Sequence, residues 1–208
     1  MIVLDLILIV FLFALFGISH TFLASNKLKK ALAEKLGNRI AFYRLFYNFS
    51  SIIIFVAFYS IAPLPNVILY DLQYPFDIIT FALQVASLAG LYWATRLIDL
   101  KEFVGISQIE RYLRNEYSIE DLDERQTLRI EGAFKFVRHP IYFFSILFFG
   151  LRPTMSLSYF IMFVSASIYF YVGSIYEERK LVEKFGNEYQ EYQKNVPRLF
   201  PLKFKTSL

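Results

Sequence analysis

Long apolar runs, not a motif, decide what this chain can fold into. Residues 2–24 carry a single charge, Asp5. At 1.5 Å per helical residue such a run reaches roughly 35 Å, enough to cross a hydrocarbon layer. Comparable runs occupy about 45–62 and 76–95, and a further apolar stretch, 141–176, is interrupted at Arg152-Pro153. Proline inside a helix removes a hydrogen bond and clashes with the preceding turn, so this stretch reads as a hairpin with its tip there. The expected fold is an all-α integral membrane protein with about five transmembrane segments: 2–24, 45–62, 76–95, 140–152 and 154–176. The first hairpin arm, about 13 residues or roughly 20 Å, either spans fully or is partly re-entrant. No basic residue precedes the first run, so it reads as a retained helix and not a cleaved leader.

Hydrophobic residues make up 56% of the 208, including 24 Phe and 15 Tyr, too apolar for a soluble domain and leaving no room for a second large soluble one. One membrane domain over 1–208 is expected. Segments 25–44, 96–138 and 177–208 hold 21 of the 22 Lys and Arg, the exception being Arg152. Basic loops stay in the cytoplasm. The expectation is therefore an outside N-terminus and a cytoplasmic tail, with the net charge of +4 reflecting topology and no nucleic-acid partner. In the tail, Leu181, Phe185, Tyr189, Tyr192 and Val196 recur at spacings of three and four. That predicts one amphipathic helical face, ending before Pro197.

The absence of cysteine excludes disulfides, thiolate metal sites and a Cys nucleophile, and two histidines are too few for a multi-His metal centre. Polar side chains crowd the cytoplasmic boundary. Arg138-His139-Pro140-Ile141-Tyr142 opens the hairpin and Glu177-Glu178-Arg179 closes it. Its two arms bring a basic, His-containing, aromatic cluster to a carboxylate pair. Spacing alone leaves two readings: interfacial anchors with a solvated helix end, or a binding site.

The run Gly132-Ala133-Phe134-Lys135-Phe136-Val137-Arg138-His139-Pro140-Ile141-Tyr142 resembles the signature of the isoprenylcysteine carboxyl methyltransferase superfamily. So does the run from Glu177-Glu178, through Leu181, Phe185-Gly186, Tyr189 and Tyr192, to Val196-Pro197-Arg198 and Pro201. Together they cover about the last 80 residues. Within that superfamily the chain is most similar to the methanethiol S-methyltransferases and the NnrU-type membrane proteins. That resemblance rests on Ser19-His20 with Leu23-Ala24-Ser25, Tyr43 to Asn48, Phe103 to Gln108 and Arg152 to Ser156.

The resemblance implies S-adenosyl-L-methionine as cofactor at a cytoplasmic-side pocket. Matching positions imply Phe134, His139, Pro140, Ile141, Tyr142 and Glu177 as cofactor contacts. Leu128 or Arg129 joins from the preceding segment, and Arg138 and Glu178 belong to the same set. Aromatic faces suit the sulfonium and adenine, and a carboxylate suits the ammonium or ribose. Two positions depart from the pattern. Phe134 stands where Tyr is usual, and Gly173 stands where prenylcysteine enzymes carry Arg, which counts against a prenylcysteine carboxylate. The acceptor-side candidates are His20, Arg44 and Asn48; Arg44, Tyr47 and Asn48 share one helical face. Helix–helix hydrogen bonds are an equal reading for His20 and Asn48. Gln108 and Glu110 are further polar candidates. The implied activity is methylation of a small thiol, with His20 as the base to test. An isoprenoid, prenylcysteine or phospholipid acceptor is one alternative, and a non-catalytic NnrU-type membrane protein another.

Overall fold

The computed structural model describes residues 2–65, 67–119, 122 and 127–201. Asn66, Arg125, Lys203 and Lys205, and with them the end of the expected tail, lie outside the described residues. The described chain is nearly all helix: α1 (Ile2–Ala24), α2 (Asn26–Leu36), α3 (Tyr43–Ile61), α4 (Phe76–Thr95), α5 (Leu100–Val104), α6 (Ile106–Leu113), α7 (Pro140–Gly150), α8 (Leu157–Phe185) and α9 (Asn187–Asn195). Short 3-10 turns occupy Gly37–Phe42 and Gly132–Lys135. Four helical stretches are long and apolar enough to cross a membrane: α1, the run ending in α3, α4 and α8. At most 17% of the apolar window of each is buried within the protein, so most of their side chains are left to face lipid.

Two compact units divide the chain. Unit 1 comprises Met1–Leu64 and Ile98–Thr127. In it α1 packs on α3, with Phe16 meeting Phe55 edge-on at 5.3 Å. Ser25 caps α2 by accepting from the Leu28 amide, and Gly37 ends it with φ of 55°. A small core of Ala33, Ile40, Ala41 and Tyr117 fills behind α2. Asp99 caps α5 through the amides of Lys101 and Glu102. Gly105 separates α5 from α6 with φ of 105°, and a Cβ there would sit 2.7 Å from the Leu45 amide nitrogen. Both facts require glycine.

Unit 2 comprises Pro65–Leu97 and Leu128–Leu208. Here α7 lies along α4, and Gly90 admits the Phe144 ring so closely that a Cβ would overlap it. The turn at Gly132 packs on the end of α4, near Leu97 and Trp93. α7 and α8 form the expected hairpin, with its break across Leu151–Pro153.

Several boundaries differ from the sequence expectation. α7 stops at Gly150, and residues 151–153 lead into a short strand, β2 (Thr154–Ser156), which pairs antiparallel with β1 (Ile68–Asp71) in the loop before α4. Eleven helical residues reach only about 17 Å, and the β1–β2 pairing ties the tip of the hairpin to the loop before α4. α8 does not stop at Tyr176; it continues nine residues to Phe185, because backbone hydrogen bonding continues past the point where the apolar run ends. The tail is consequently not one helix. Leu181 and Phe185 belong to α8, Tyr189 and Tyr192 to α9, and Gly186, with φ of 56°, breaks between them. α9 ends at Asn195, ahead of Pro197 as expected.

Candidate functional site

The expected cluster forms at the base of the α7–α8 hairpin. Proline at the first position of α7 fixes its start, and His139 is the residue before it. The tail then returns to this point. The Arg138 amide donates to the Pro197 carbonyl (2.9 Å) and the His139 amide to that of Arg198 (3.1 Å). The two sequence signatures therefore meet backbone to backbone.

Glu178 is the hub. It is 3% exposed and accepts five hydrogen bonds. Arg138 grips it bidentately, Nε to Oε1 at 2.8 Å and Nη2 to Oε2 at 3.1 Å. His139 Nε2 donates to Oε1 (3.1 Å), and Gln193 (2.8 Å) and Arg198 (3.1 Å) donate to Oε2. The remaining Arg138 nitrogen donates to the carbonyls of Gln193 and Val196. A buried carboxylate so fully supplied with donors is ionised and has no acceptor site left over.

Glu177 differs. Its side chain keeps 44% of its exposure. Oε2 accepts from the Tyr142 hydroxyl at 3.0 Å and lies 3.4 Å from His139 Nδ1. Both His139 nitrogens thus face carboxylates. Burial works against the charge on the imidazole, but the hydrogen bonds and charges of Glu177 and Glu178 outweigh it and raise the pKa above the ordinary 6.5. His139, Tyr142 and Phe170 form a stack, with centroids 5.3 and 5.0 Å apart and planes within 10°. The stack fixes the Tyr142 ring so that its hydroxyl reaches Glu177.

Other cofactor-side expectations fall nearby or elsewhere. Pro140 is buried beneath the cluster and Ile141 is half-buried beside it on α7. The Phe134 carbonyl accepts from the Tyr192 hydroxyl at 2.6 Å. Burial pushes that phenol's pKa up, keeping it a neutral donor. Leu128, with Arg129 half-buried next to it, lines a separate open groove of about 540 Å³ against α9, with Ile130, Lys135 and Tyr192. His139, Tyr142 and Glu177 do not line that groove. The sequence reading did not assign Gln193 or Arg198. Arg198 was visible only as part of a quoted motif, because its approach to Glu178 depends on the chain reversal after α9.

In unit 1 the acceptor-side candidates separate into two groups. His20 Nε2 lies 2.6 Å from the Tyr47 hydroxyl and Nδ1 3.0 Å from Ser51 Oγ. Ser51 donates its own proton to the Tyr47 carbonyl (2.7 Å), so it accepts from Nδ1–H, and Nε2 accepts from Tyr47. Arg44 and Asn48 point to another partner. Arg44 Nε donates to the Phe103 carbonyl (2.8 Å), and Asn48 to those of Phe103 and Val104 (both 3.1 Å). They fasten the C-terminus of α5. Gln108 is buried with the Glu102–Arg111 pair (2.9 Å), while Glu110 meets Lys101 at the surface (3.6 Å).

The chain is similar to proteins named methanethiol S-methyltransferase. It is 30% identical over 193 residues to methanethiol S-methyltransferase 1 of Bradyrhizobium diazoefficiens, covering 91% of this chain and 65% of that protein. The Pseudomonas deceptionensis protein of that name is 28% identical over 95% of this chain and 73% of its own length. The one from Crocosphaera subtropica is 26% identical, over 94% and 74%. The chain thus spans less than two thirds of the length of the Bradyrhizobium relative. No family model and no solved structure matches it.

Proposed function

We propose that this membrane protein is an S-adenosyl-L-methionine-dependent methyltransferase acting on a small thiol such as methanethiol. The carrying observation is the His139–Tyr142–Glu177 constellation, in a chain similar to proteins named for that reaction.

The residues suit the cofactor. Glu177 is reachable, and Oε1 has no hydrogen-bond partner among the described residues, so it can accept from an ammonium or a ribose hydroxyl. Rings of the His139–Tyr142–Phe170 stack supply polarisable surface beside a carboxylate, a setting that favours a sulfonium. Arg138 and Glu178 are positioning residues: their mutual bonds hold α7, α8 and the tail in register. When bound, the cofactor supplies a methyl group on a positively charged sulfur. The protein's tasks are to orient the acceptor in line and exclude water.

A thiol must also lose its proton to become the better nucleophile. In the tautomer set by Ser51, Nε2 of His20 receives the Tyr47 hydroxyl proton. Tyr47 is then the group that meets the acceptor, and His20 stores the proton behind it. Arg44 and Asn48 act at one remove, by shaping the α5–α6 turn. Gly173 has nothing within 4 Å of where a Cβ would be, so packing does not force glycine where prenylcysteine enzymes carry Arg. In this reading the acceptor has no carboxylate to be met there. In this reading the tail and the cofactor site face the cytoplasm and the N-terminus lies outside, which the 21 basic residues of the three segments support.

The test is cofactor binding to purified protein, followed by transfer of labelled methyl to methanethiol, a prenylcysteine analogue and a phospholipid. Methanethiol is the expected acceptor. Preference for either of the others overturns the thiol and keeps the methyl transfer. Absence of both binding and transfer overturns the enzyme and leaves a non-catalytic NnrU-type role. His20→Ala and Tyr47→Phe should each lower the rate more than they lower cofactor affinity.

A further inference from the structure

Arg152 sits at the far end of the hairpin from Glu178 and is the one basic residue outside the three basic segments. It lines a cavity of about 430 Å³ together with Gln84, Phe148, Pro153, Thr154 and Tyr159. Its guanidinium lies 4.0 Å from the centre of the Tyr159 ring. Stacking of this kind engages the face of the guanidinium and leaves its in-plane N–H donors for an acceptor. Among the described residues, no carboxylate forms an ion pair with Arg152 and no acceptor receives its side-chain donors. Asp71, the acid of β1, is instead engaged by the Thr154 hydroxyl at 2.6 Å.

The backbone around this arginine is fixed. Its carbonyl accepts from the Tyr70 hydroxyl (3.2 Å), and the Pro153 carbonyl accepts from the Leu72 amide (3.0 Å). Little ordering of the main chain would therefore be needed on binding. Tyr159 belongs to the first turn of α8, the end of a helix that favours negative charge. A half-buried guanidinium that lines a cavity and rests on an aromatic ring presents donors of the geometry an oxyanion takes.

We propose that this cavity binds a phosphate group through Arg152. The phosphate comes from a lipid headgroup or from a soluble phosphomonoester. A span end is where lipid phosphates lie, so the bilayer source is the natural one. The site is separate from the Arg138–Glu178 cluster and independent of the methyltransferase reading.

Wild type, Arg152→Gln and Arg152→Lys are purified in detergent. Each is examined by native mass spectrometry with phosphatidylglycerol and phosphatidylcholine, and by thermal shift with glycerol 3-phosphate. Wild type should retain phosphatidylglycerol at least about fivefold over phosphatidylcholine, or be stabilised by glycerol 3-phosphate. The first result alone assigns the lipid source, and a response to glycerol 3-phosphate assigns the soluble one. Arg152→Gln should lose the response, and Arg152→Lys should keep part of it, since charge remains without the fork. Equal retention of both lipids together with no response to glycerol 3-phosphate overturns the proposal, and that result needs no variant to fold. Undiminished binding in Arg152→Gln also overturns it.

Discussion

Glu177 and Glu178 are neighbours in sequence with different surroundings, one 44% exposed and lightly bonded, the other 3% exposed and saturated. Substituting them should separate binding from folding. Glu177→Gln should weaken cofactor binding by roughly 1–3 kcal/mol and leave the melting temperature nearly unchanged. Glu178→Gln should instead destabilise the protein by about 3–5 kcal/mol, since it leaves the buried Arg138 guanidinium without its counter-charge and turns one accepting oxygen into a donor facing donors. Calorimetric binding beside thermal unfolding tests both, with Glu183→Ala, exposed on the last turn of α8, as control. Arg138→Lys should resemble Glu178→Gln, because an ammonium cannot reproduce the two-pronged grip. The raised His139 pKa gives a pH test. Its contribution to stability is complete below about 6.5 and is lost as pH rises through the raised folded value. Unfolding midpoints should fall over that window in wild type and flatten in His139→Gln.

Helices were legible where the chain's polarity changes abruptly and hidden where it does not. The apolar runs before Ser25, after Arg44 and after Pro75 became α1, α3 and α4 close to the expected limits, because a bilayer-crossing stretch has to satisfy its own backbone. The extent of α8 was not legible, since Glu177 ends the apolar run without ending the helix. Nor was the α8–α9 break. Gly186 falls in step with the four-residue spacing from Phe185 to Tyr189, so periodicity runs straight through it. The β1–β2 pair was too short to signal itself: residues 68–71 and 154–156 show no clean alternation. Two glycines test the packing. Gly90→Val should break the α4–α7 contact by driving a side chain into the Phe144 ring, lowering stability by about 1–3 kcal/mol. Gly105→Ala should cost a similar amount, through both its positive φ and its approach to Leu45. Thermal melts in detergent measure each loss.

At the scale of the whole molecule, basic residues are distributed by segment, and the proposed topology rests on that distribution. Cysteines placed singly at Gln73 and Lys194, both exposed, in this Cys-free chain should label from opposite sides of intact cells. Labelling of both from the same side would reverse the assignment of the loop before α4 or of the tail. The site's chemistry was legible in part for a related reason: His139-Pro140 and Glu177-Glu178 stand at the two ends of one hairpin, so its closure brings them together. What Arg198 and Gln193 add could not be read, because it depends on a chain reversal that leaves no periodic trace. The hairpin also sets an order of manufacture. Arg138 is synthesised 40 residues before the carboxylate that receives it, and α7 at 11 residues is too short to cross a bilayer unaided. A nascent chain that ends before Glu178 holds an unpartnered guanidinium beside a half-length apolar segment. On that ground α7 is expected to enter the bilayer together with α8 and not before it.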